Sequence, residues 1–148
     1  MSVIETKIDA SANFTITLNA LASGGGRQSS IVTNSNNRPA ALIRVTLSPG
    51  TAPTAGTVYE IYLIRGNAAG VRDDLAGASD AAFTPVNAPL LGTMVNPGNT
   101  TDVQEIFDTS PLGPLGPQFG IAVVNRTNQA LDSGANAASY ETYLPEIV

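Results

Sequence analysis

Twelve carboxylates and no histidine set the chemistry open to this chain. Asp73, Asp74 and Asp80, with Asn67, lie close enough in sequence to offer oxygen ligands to Ca²⁺, which takes six to eight of them. Their spacing is not that of an EF-hand loop, and the simpler expectation is a hydrated acidic loop. Glycoside hydrolysis needs two carboxyl groups about 5–9.5 Å apart in a cleft. Glu60, Glu105 and Glu141 are nominal candidates, but with this many carboxylates some pair always looks suitable. A serine nucleophile lacks its histidine, and no G-x-S-x-G is present. The run Gly24-Gly25-Gly26 is not followed by Lys-Ser/Thr, so it reads as a turn and not as a phosphate cradle. No cysteine is present, so disulfides, thiolates and cysteine metal sites are excluded. Without histidine the commonest general base and transition-metal ligand are missing too. The expectation is a non-enzymatic protein with no cofactor and no metal.

Charge narrows the partners. The formal net charge is −5, with one lysine and six arginines scattered along the chain. A nucleic-acid binder needs a basic stripe to neutralise phosphates, and an anionic membrane selects the same feature. Neither partner is expected. No apolar run approaches the ~20 residues of a membrane-spanning helix. The first residues, MSVIETKIDASANF, carry no apolar signal core, so synthesis in the cytoplasm without a cleaved signal is expected. Sugar binding usually uses flat exposed aromatics. The chain has no Trp, and although at least one of Tyr140 and Tyr143 is expected outside, since they fall on opposite faces, a single surface Tyr is a weak sugar platform. Three glycosylation-type triplets, at Asn13, Asn99 and Asn125, read as strand and turn composition.

The elements that would position such groups are strands. Fourteen Gly and ten Pro punctuate short apolar runs. Phe119–Val124 is apolar or small on both faces and predicts a central, doubly covered strand. Thr57–Arg65 is the densest β-branched and aromatic stretch, with Tyr59, Ile61 and Leu63 expected inward and Val58, Glu60, Tyr62 and Ile64 outward. Alternation predicts further strands over 13–22, 27–32, 40–48, 90–96, 101–107 and 138–144. The stretch 66–89 is long, irregular and broken by Gly and Pro, which often marks a functional loop. The fold class expected is all-β: a β-sandwich of about eight short antiparallel strands, jelly-roll-like, over residues 13–148 as a single domain, with 1–12 as an N-terminal arm.

With chemistry thin, surface that binds protein remains. Val3, Ile4, Ile8, Tyr62, Ile64, Leu112, Leu115, Tyr143 and Ile147 are the candidate interface residues. They come from the two termini, the outer face of 57–65 and the extended Pro/Gly run Ser110–Pro117. Extra apolar surface on a small β domain usually marks an oligomer interface.

The order and spacing of several short motifs resemble a known family. These are Ala22-Ser23-Gly24-Gly25-Gly26-Arg27-Gln28-Ser29, Ala55-Gly56-Thr57-Val58-Tyr59, Ser79-Asp80-Ala81-Ala82-Phe83-Thr84, Gly116-Pro117-Gln118-Phe119-Gly120-Ile121 with Asn125, and Ala130-Leu131-Asp132. Together they are similar to small β-rich virion proteins among the head genes of tailed bacteriophages, over about residues 20–135. The resemblance implies a capsid decoration, or cement, protein on the virion surface. It implies the major capsid protein as partner and a homo-oligomer, with a trimer favoured. It carries no catalytic residues. Attachment through residues 1–12, outside the resemblance, is a separate expectation. The alternative is a tail or head-fibre module that binds host glycans.

Overall fold

The computed structural model describes residues 4–147. Eleven strands run in order: β1 Ile4–Ile8, β2 Ala12–Asn13, β3 Gly26–Gln28, β4 Val32–Thr33, β5 Ala40–Leu47, β6 Val58–Gly66, β7 Ala81–Ala82, β8 Leu90–Val95, β9 Val103–Asp108, β10 Gln118–Asn125 and β11 Ala137–Ile147. Two 3-10 turns, Asp73–Leu75 and Ser110–Leu112, are the helical pieces among the described residues.

The strands form two antiparallel sheets. One has the order β1-β11-β5-β9, with β2 also beside β11. The other has the order β7-β3-β10-β6-β8, with β4 also on β10. If β1, β4 and β7 are set aside, the remaining strands alternate between sheets in the double Greek-key pattern. The first, eighth, third and sixth share one sheet; the second, seventh, fourth and fifth share the other. This is the jelly roll expected from turn spacing.

The core lies between the sheets. Ala41, Ile43, Val45 and Leu47 of β5 face Tyr59, Ile61 and Leu63 of β6 and Phe119, Ile121 and Val123 of β10, all buried. Each set sits at every second position, as a pleated strand requires. Phe14, Phe119 and Tyr140 stack at centroid distances of 4.7–5.9 Å, two of the three contacts edge-to-face. β10 is central, and Phe119–Asn125 is buried at every position. Its second face is covered by the stretch 66–89, which folds back over the sheet. Phe83, Ala76 and Ala88 pack there on Ile64 and Ala122.

Two expected strands differ. The 13–22 stretch buries Phe14 and Leu18 on one side, as its alternation predicts, but ladders only at Ala12–Asn13. The 27–32 stretch splits into β3 and β4, because Ser29 leaves regular pairing. Its Oγ takes the Ile121 amide and its own amide bonds the Ile121 carbonyl. Residues 4–8, expected in an arm, are the edge strand of a sheet, paired with β11 from Ile4↔Ile147 to Ile8↔Tyr143.

Candidate interface at one end of the sandwich

The carboxylates singled out from the sequence do not converge. Asp73 takes the Arg65 amide at 2.9 Å. Asp74 accepts three backbone amides, from Val86, Asn87 and Ala88, at 2.6–2.8 Å. Burial alone would raise its pKa, but those three donors outweigh it and hold the carboxyl below the usual range. Asp80 pairs with Arg27 and takes the Thr17 hydroxyl. These groups fasten the 66–89 stretch to the sheet. Among the described residues no three acidic side chains are placed to hold a metal ion. Glu60 bonds Arg126 and Tyr62 on the outer face of one sheet. Glu105 and Glu141 belong to the other sheet. Tyr140 is inside the aromatic cluster, and the Tyr143 hydroxyl donates to Asp108 at 2.6 Å.

The candidate interface residues separate into groups. Ile64 is fully buried, because the 66–89 stretch covers the face it occupies. Tyr62 is half-buried beside it, its hydroxyl on Glu60. Leu115 is fully buried in the main core, its amide bonded to the Pro39 carbonyl. Ile64 and Leu115 are therefore corrected from surface to core. Val3 lies outside the described residues, as do the side chains of Ile4 and Ile147. Ile8 pairs with Tyr143 in the β1/β11 ladder at one end of the sandwich, and Leu112 is half-buried against the main core.

Local bonding makes this end rigid. β5 begins at Ala40 and β9 ends at Asp108; the Thr109 amide donates to the Ala41 carbonyl, and the Thr109 hydroxyl accepts from the Ala41 amide. Asp108 then accepts from Ser110 and Tyr143. The buried Asn34 side chain bridges the Arg38 and Gly116 carbonyls at 2.8 Å each, tying the 34–38 turn to the Pro/Gly run. Arg65 bonds the Leu112 carbonyl at 2.8 Å. Arg38 grips Asp9 with two bonds of 2.8 Å, and Thr142 adds a third to the same carboxylate. The Arg38 guanidinium first, then Thr142 and Asn36, hold Asp9 well below the usual carboxylate range.

The surface so framed is shallow and apolar. With Leu115 as its buried anchor, the Pro/Gly run presents Pro114 outward. One groove of about 370 Å³ runs between Pro39, Pro114, Tyr143 and Pro145. Two further grooves meet it at Pro114. Past Tyr143, β11 has no partner on its β5 side among the described residues, so β1 and the end of β11 continue as a two-stranded ribbon. Ile8 on it is 51% exposed. Sequence reasoning found the Leu-bearing run and the termini but missed Asp9, Arg38, Asn34 and Asp108, which hold them in place. Their signal is long-range pairing, which has no local pattern.

No protein-family profile matches the chain, and no curated protein matches it. Among solved structures, a chain in "Structure of infectious bursal disease virus Gx strain" aligns with 98% of this chain and 42% of its own length, at 10% identity and a TM-score of 0.26. This chain thus spans under half of that one. A TM-score so low carries no argument about function.

Proposed function

We propose that this is a structural virion protein of a tailed phage: a decoration protein that binds the major capsid lattice from outside as a homo-oligomer, with a trimer favoured, after synthesis in the host cytoplasm. The observation that carries the reading is the apolar end of the sandwich, where Pro39, Pro114, Tyr143 and Pro145 line a groove on immobilised backbone. Such a surface suits non-covalent protein contact, because little ordering entropy is lost when it docks. The family resemblance in the sequence supports it. The jelly roll is also used by viral capsid and lectin domains, which is support by analogy only. The reading is non-enzymatic, in keeping with carboxylates already engaged in structural bonds.

Co-sedimentation with phage heads lacking the protein tests the proposal. Saturable binding is expected, and it should weaken when Pro114 and Tyr143 are both changed to Ser. Wild-type chain that stays in the supernatant at every concentration would refute it.

A further inference from the structure

We propose that β1 is a self-recognition strand: it pairs antiparallel with β1 of a second copy of this chain, about a two-fold axis at Thr6. The inference is independent of the virion reading.

It begins with a free edge. β1 ends the order β1-β11-β5-β9, so among the described residues its outer side has no ladder partner. Residues 5–8 are all exposed. The Asp9 amide bonds the Thr142 carbonyl at 2.8 Å, continuing the register Ile8↔Tyr143. Antiparallel ladders alternate bonded and non-bonded pairs. Lys7 and Glu5 therefore turn their backbone groups to β11, while Ile4, Thr6 and Ile8 turn theirs outward. Thr6 lies opposite Pro145. Proline has no amide hydrogen, which fits a non-bonded pair. It also removes a donor from the other edge of the ribbon, where β11 has outrun β5. One edge of the ribbon is thus blunted by proline and the other is open.

The open edge reads Ile4-Glu5-Thr6-Lys7-Ile8, a chemical palindrome. Antiparallel pairing about Thr6 sets Glu5 against the partner's Lys7 and Lys7 against the partner's Glu5. Ile4 meets the partner's Ile8. The same register brings outward backbone groups together at Thr6–Thr6 and at both Ile4–Ile8 pairs. A slip of two residues either way, which keeps those groups facing, puts Glu5 on Glu5 or Lys7 on Lys7. The charges therefore select one register, as cross-strand charges do. Lys7 is the single lysine of the chain, and neither it nor Glu5 has a side-chain partner among the described residues. Five-residue pairing buries less than the ~1,200 Å² of a standard stable complex, so association is concentration-dependent in solution.

Sedimentation equilibrium up to about 1 mM reads the contact, since weak complexes populate there. The wild type should show a pairwise association step, monomers into dimers or, where a trimer forms through another surface, trimers into pairs. Glu5→Lys places like charges at both symmetric pairs and should weaken association roughly ten-fold; Lys7→Glu should do the same. The double variant Glu5→Lys/Lys7→Glu rebuilds both pairs with reversed sign and should restore it. An unchanged melting temperature checks that Glu5→Lys leaves the subunit itself intact. A monomer throughout, association unaffected by either single change, or no restoration in the double variant would each overturn the proposal. A lysine that merely guards the edge gives the first of these results.

Discussion

Leu115→Ala separates contact surface from core in the Pro/Gly run. Leu115 is fully buried against the main cluster, although its flanks Pro114 and Pro117 are exposed. Removing its isopropyl group forfeits the transfer energy of three carbons and leaves a cavity that the neighbouring prolines cannot close. Core Leu→Ala changes cost about 2–5 kcal/mol. At this chain length that is a fall of about 6–15 °C in melting temperature. Thermal unfolding followed by circular dichroism is the assay, and exchange of the 110–117 amides should rise with it. Unchanged stability, together with lost head binding, would refute the reasoning and return Leu115 to the surface.

Asp74→Ala orphans three backbone amides and should free the 84–88 segment, at a cost of about 1–3 kcal/mol, reduced where water replaces the carboxylate. Faster exchange at Val86–Ala88 with β10 unaffected is the expected pattern; uniform protection would refute it. The acid limb has a defined sign. Asp9, Asp74, Asp80 and Asp108 all titrate lower in the folded chain than when unfolded. Their stabilisation is complete above the unfolded value near 4 and is lost as pH falls through the folded values. Melting temperature should be level from about pH 5 to 8 and drop below about 4. Asp9→Asn should make that drop shallower, and an acid limb of unchanged slope would count against the Arg38 pairing.

Strands whose burial is set by their own alternation were legible. Phe119–Val124 is apolar or small on both faces and is central; Tyr59, Ile61 and Leu63 alternate and face the core. Contacts between distant segments were not legible. The outer position of Ile64 follows from pleat geometry, but its burial comes from Phe83, Ala76 and Ala88, which carry no strand pattern. Leu115 stands among glycines and prolines, with no periodicity to assign it a side. Ile4–Ile8 is too short and polar to announce a strand, and it becomes one by pairing with the distant edge of β11. At the candidate interface the apolar residues were visible one by one. The Asp9–Arg38–Thr142 and Asn34 links that join them span up to 133 positions, beyond any local window.

The central claim is that the chain strengthens a phage head by binding to it. Heating heads that lack the protein, with and without purified chain, measures this directly. The account predicts that wild-type chain raises the temperature at which the heads release DNA, and that the variant with Pro114 and Tyr143 both changed to Ser does so less. Release at the same temperature with and without saturating wild-type chain would contradict it.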